Sequence, residues 1–232
     1  MAHDTNVSQH EHGAAMVSMA KQRKVFEKEL LAALGSALKG TGWKKKGWMF
    51  LRESDGIFQK IEISVYLNDE KIRVTYQIKP MVLDLILWDI LGISENASEP
   101  LSFRATGAFT CDGLPIYDEL LDKSYGTVRD AVATLRTIID NNEGLCQNVL
   151  SGTDFSTLLA QHPNHRERGA YAVTLVTSLI NDCDRDAAAH LASAYESGEL
   201  KSCMNMSCKG VSFHRLALDW LASGSLIERF TL

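Results

Sequence analysis

The chain has 232 residues, 45% hydrophobic and 23% charged, with a formal net charge of −5 and a pI near 5.8. That is ordinary globular composition, with length for one large domain or two small ones. The acidic balance excludes a global field that draws in DNA or an anionic membrane, so any nucleic-acid contact has to be a local patch.

Residues 1–18 are polar and carry His3, His10 and His12. No basic start runs into an apolar core there, so the segment predicts a mobile tail rather than a secretion signal. From Met19 to Leu38, Phe26, Leu30, Ala33, Leu34 and Ala37 recur at helical spacing, and KGTG stops the helix. Lys44 to Arg52 predicts a first strand ending at the turn ESDG. Ile57, Ile61, Ile63, Val65 and Leu67 then share one face of a second strand. After NDEK, Ile72, Val74, Tyr76 and Ile78 alternate with Arg73, Thr75, Gln77 and Lys79, which are expected to face solvent. Pro80 closes the third strand.

Val82 to Leu91 predicts a short buried helix. The apolar stretch around it is broken by Asp84 and Asp89 and falls short of the about 20 residues that span a bilayer. Leu101 to Thr110 predicts a fourth strand. Thr127 with Asp130 and Asn164 with Glu167 mark helix starts, the latter helix carrying Tyr171, Leu175 and Leu179. Asp184 and Ser212 open two more, closed by Gly198 and Gly224. Strands first and helices later predict an α+β class: an N-terminal helix, an antiparallel meander of about four strands, and an α-helical C-terminal part. The expected division is a tail over 1–18, an α+β domain over 19–150 and a helical subdomain over 151–232, with the boundary near Gly152. One helical hairpin of repeat type appears without a second copy, which disfavours a solenoid.

Gly42, Trp43, Lys44, Lys45, Phe50 and Arg52, after an amphipathic helix and before FQKIEISVY, resemble the opening of the bacterial domain of unknown function 4304 over roughly residues 20–140. The resemblance implies a small cytosolic α+β domain that acts by binding partners, and it carries no activity. Acidic proteins of this kind include the immunity proteins that neutralise a toxin.

No complete catalytic motif is present, and no catalytic residue or cofactor is assigned. Lys46, Gly47, Trp48, Met49, Phe50 and Leu51 follow the RNA-recognition signature, but Met49 is not small and Glu53 replaces the last aromatic. On one strand, Lys44, Lys46, Trp48, Phe50 and Arg52 share a face that can stack bases and hold phosphates. They read equally as core residues on a strand whose lysine end reaches solvent. Cys203, Cys208 and His214, with Cys183 or His190 as a fourth ligand, form a loose zinc or thiol-enzyme candidate. The spacing of four between the cysteines departs from the usual knuckle. The five cysteines, Cys111 and Cys146 included, read as reduced thiols.

Asp182, Asp184 and Asp186 lack the glycine and closing glutamate of a calcium loop and are expected to cap the next helix. HPNHRERG, from His162 to Gly169, reads as a charged helix start. The partner-binding candidates are Asp112, Tyr117, Asp118, Glu119 and Asp122, in an acidic loop that also reads as a solvated connector. Their charge suits a basic protein such as a toxin.

Overall fold

A computed structural model describes residues 6–66, 71–122, 127–150, 154–162 and 169–224, with the side chains of 6–20, 145 and 147–150 excepted. Leu67 and Asn68 to Glu70 of the NDEK turn, the boundary at Gly152, the cap at Asn164 and Glu167, most of HPNHRERG, and the side chains of His3, His10 and His12 lie outside the described residues. The fold is α+β: an N-terminal helix, a five-stranded antiparallel sheet, then helices. Two compact units divide the chain, one of Met1–Phe50, Ile61–Tyr76 and Ile116–Gly144, the other of Leu51–Lys60, Gln77–Pro115 and Leu145–Leu232.

In the first unit, α1 (Asn6–Ala37) begins well before Met19. Its last turns bury Leu30, Leu31 and Leu34, and Leu38 follows into the core. Helix formers such as Ala, Lys, Glu and Leu fill it, and no proline interrupts it. The sheet runs in the order β1 (Lys44–Lys46), β2 (Met49–Ser54), β3 (Ile57–Tyr66), β4 (Lys71–Pro80), β5 (Leu114–Asp122). Ile61, Ile63, Val65, Ile72, Val74 and Tyr76 are buried on one face, in the predicted alternation. A Cβ added at Gly35 would lie 3.7 Å from the Phe50 ring, which places α1 against β2. Helix α4 (Val128–Leu150) opens on the predicted cap, where Thr127 Oγ1 accepts from the Asp130 amide at 3.3 Å. Arg136 Nη1 donates to the Ala37 carbonyl at 3.1 Å, and Trp43 Nε1 donates to Glu143 at 2.9 Å while its ring meets Tyr76 edge-on at 5.8 Å.

Several expectations need correction. Lys44 to Arg52 is two strands, because Gly47 adopts φ +61 and turns the chain before Met49. Leu101 to Thr110 is no strand; it holds the single helical turn α3 (Phe103–Thr106), where the Arg104 side chain is drawn inward to a buried carboxylate. The acidic loop is strand β5, whose Asp118 finds partners on β4. The predicted turn at Asp55–Gly56 stands: both residues have positive φ, 54 and 74, as a two-residue hairpin turn of the I′ kind requires.

In the second unit, α2 (Met81–Leu91) follows Pro80 directly and ends at Gly92, in the left-handed conformation at φ 67. Helix α6 (Tyr171–Asn181) touches α2, α5 (Phe155–Ala160) and α7 (Arg185–Glu196). It is therefore buried nearly all round, and Leu175 and Leu179, expected in its core stripe, are only half-buried. Its inward polar residues are satisfied: Thr177 and Ser178 donate to carbonyls four residues back, and Thr174 Oγ1 accepts from the Asp112 amide. Caps predicted at Asp184 and Ser212 are present, accepting from Ala187 N at 3.1 Å and Arg215 N at 3.1 Å. They open α7 and α8 (Phe213–Ala222), with the hairpin β6 (Ser207–Cys208) and β7 (Val211–Ser212) just before α8.

Lys79 breaks its strand's pattern. Instead of facing solvent it is 1% exposed, and its Nζ donates to Asp84 Oδ1 at 2.9 Å and to the carbonyls of Arg104 at 3.0 Å and Cys111 at 2.6 Å. Asp84 also accepts from Arg104 Nη1 at 3.0 Å and from the Cys111 amide at 2.8 Å. The guanidinium lies 4.8 Å from the Trp88 ring centre. Two cations and one anion are thus buried together, the extra positive charge being shared with carbonyls and an aromatic face.

Candidate functional site

Strand pleat decides which side chains can meet. On β4, Ile72, Val74 and Tyr76 point into the core of the first unit, so Arg73 and Thr75 point the other way; on β3 the same parity turns Glu62, Ser64 and Tyr66 outward. Asp118 of β5 meets that outward row. Arg73 Nε and Nη2 donate to its two oxygens at 2.8 Å each, a bidentate pair, and Thr75 Oγ1 adds a bond at 3.1 Å. The hydrogen bond and charge of Asp118 hold the Arg73 guanidinium still more firmly protonated than usual.

Around the pair lies a groove of about 450 Å³ lined by Tyr66, Arg73, Asp118, Glu119 and Leu120. Tyr66 is 42% exposed and Leu120 51%. Beside it Tyr117 Oη donates to Glu119 at 3.0 Å. Strand β5 is an edge of the sheet, which explains why charged residues occupy it: acids on an edge discourage stray pairing. The groove therefore offers two apolar contacts flanking a polar pair. Within it Arg73 and Asp118 satisfy each other.

The other predicted residues fall elsewhere. Asp122 is exposed at the end of β5. Asp112 is engaged in the second unit, where its Oδ2 accepts from Ala170 N at 2.7 Å at the start of α6. Lys44, Lys46 and Trp48 are exposed, but Phe50 is buried against α1 and Arg52 donates to Gln59 at 2.9 Å. The structure therefore does not bring Trp48 and Phe50 onto one open face.

Nor does it gather the zinc candidates. Cys203 is exposed, Cys208 sits on β6, and His214 is buried in the first turn of α8, stacked on Tyr195 at 4.8 Å. Cys183 and His190 are exposed. No group of three or more metal-ligating side chains occurs among the described residues. Burial pushes the His214 imidazole below its ordinary pKa, with the charge of Glu196 opposing the shift.

No family model matches the chain, and no curated protein or solved structure does either. Among the described residues no helix is long and apolar enough to cross a membrane. Sequence reasoning placed Asp118 and Glu119 at a surface but missed Tyr66, Arg73 and Leu120. The available signal was the outward row on the third predicted strand: an arginine there wants an acid on the strand beside it.

Proposed function

We propose that this chain is a non-catalytic cytosolic protein that binds another protein through the groove lined by Tyr66, Arg73, Asp118, Glu119 and Leu120. One observation carries the reading: a half-exposed tyrosine and leucine line a groove with a bidentate ion pair on the outward face of the sheet, next to edge strand β5. Exposed aromatic and aliphatic anchors beside a polar pair are what a small interface hot spot needs. In its most concrete form the protein is an immunity protein that covers a toxin's active site. A net charge of −5 suits a basic partner, since complementary fields speed encounter.

The test uses the purified product of the adjacent gene. Calorimetry is expected to show binding that falls roughly tenfold in Tyr66→Ala and in Leu120→Asp, the scale of a lost anchor. Both variants should melt within about 2 °C of the parent, because both residues are half-exposed and outside the buried core. Co-expression should rescue cells from that product's toxicity. Absence of both binding and rescue retires the reading.

A further inference from the structure

A second surface, in the first unit and separate from the groove, has a different chemistry. Between Leu30 and Arg52 the sequence contains no Asp or Glu but holds Lys39, Lys44, Lys45, Lys46 and Arg52, inside a chain whose net charge is −5. Arg52 is turned to Gln59, which leaves four lysines, all exposed. Among the described residues none of the four forms an ion pair. Lys44 to Lys46 make up β1, the sheet edge opposite β5. In the turn that follows stands Trp48, 53% exposed, whereas Trp43, Trp88 and Trp220 are buried.

Lysines on an edge strand are explained by protection against stray pairing. An exposed indole beside them is not, since a large apolar ring at a turn, with more than half of its surface in water, works against that protection. What uses both is a ligand that carries negative charge along its length and flat aromatic groups beside it.

We propose that Lys39, Lys44, Lys45, Lys46 and Trp48 form a binding site for single-stranded nucleic acid. The lysines neutralise phosphates and the Trp48 ring stacks on a base. Recognition is independent of sequence, because every base offers a π-face and no planar bidentate donor lies in the patch. The rest of the acidic surface repels the strand and confines it to this edge.

The test is a titration of the full chain with a fluorescein-labelled 12-nucleotide oligouridine at about 50 mM salt, followed by anisotropy and by tryptophan emission. Binding is expected to quench the exposed Trp48 component, with log K falling against log salt at a slope near −2.8, about −0.7 for each of four phosphates. Trp48→Ala should weaken binding about tenfold or more and abolish the quench, the scale of one lost stack. The triple variant Lys44→Ala, Lys45→Ala, Lys46→Ala should reduce the slope by about 2. Tyr66→Ala and Leu120→Asp should bind as the parent does, which separates this site from the groove. The proposal is overturned by any one of three results: no binding at 50 mM salt, binding that Trp48→Ala leaves unchanged, or equal binding of a polyglutamate peptide, which would assign the patch to an acidic protein.

Discussion

The buried cluster of Lys79, Asp84 and Arg104 makes an ordered prediction about stability. Lys79→Met removes one of two cations and leaves Asp84 still bonded to Arg104 Nη1 at 3.0 Å and to the Cys111 amide at 2.8 Å. The carbonyls of Arg104 and Cys111 lose their donor, but a neutral Arg–Asp pair remains. Asp84→Asn is worse: it strips the only anion from between two buried cations. Removing one partner of a buried pair costs about 3 to 5 kcal/mol. Lys79→Met belongs at the lower end and Asp84→Asn at or above the upper. At roughly 2 to 4 °C per kcal/mol for a chain of this size, the melting midpoint should fall about 6 to 12 °C for Lys79→Met and further for Asp84→Asn. Differential scanning calorimetry measures both. The triple variant Lys79→Met, Asp84→Leu, Arg104→Met, which replaces the whole cluster by apolar groups, should recover most of the loss. The reasoning fails if Lys79→Met is as damaging as Asp84→Asn, or if either costs less than about 1 kcal/mol.

Burial depresses the His214 pKa, so the unfolded chain takes up a proton below about pH 6.5 that the folded chain resists. Stability should be flat above that pH and fall below it, and His214→Phe, which keeps the stack on Tyr195, should flatten the acid limb of a midpoint-against-pH curve. Alkylation with iodoacetamide, read by mass spectrometry, should label exposed Cys183 and Cys203 first, while Cys111 and Cys146 stay protected. Burial foremost, and then the negative charge of Asp84, hold the Cys111 thiol protonated far above its ordinary pKa, so labelling of Cys111 as fast as Cys203 would contradict the packing. Gly169→Ala places a methyl 2.6 Å from Asp112 Oδ2 at a residue with φ +49; it should cost about 2 kcal/mol in thermal unfolding, and a neutral result would mean that Asp112 does not hold the start of α6.

What the chain discloses without a structure is what its local chemistry decides. The caps at Thr127, Asp184 and Ser212 close on amides three residues away, and each is found where the residue pattern puts it. The β3 and β4 alternation is equally local. Edge strand β5 was hidden because both its faces meet water over most of its length, so its acids mimic a loop. Lys79 was misassigned for a different reason. Parity shows which face of a strand a residue is on, but whether something covers that face depends on α2, whose Asp84 supplies the anion. In the groove, Arg73 and Asp118 are 45 residues apart, and nothing local announces their pairing.

The distribution of strained protonation bears on whether the groove is a reaction centre. Catalytic acids, bases and nucleophiles are recognised by ionisable groups held away from their ordinary pKa inside a cleft. Two displaced groups are Cys111, held protonated far above its ordinary range, and His214, pushed below its own; both are buried in the second unit and neither lines the groove. The groove's own displaced group is Arg73, shifted further into its charged form, which suits it neither to give nor to accept a proton. Its carboxylate partner already spends both oxygens on the guanidinium. On the proposed reading, a site so arranged holds a partner's surface by contact and charge. On that reading, this arrangement sets the direction in which mutations should act there: Tyr66 and Leu120 on how long a complex lasts, Arg73 and Asp118 on how fast it forms.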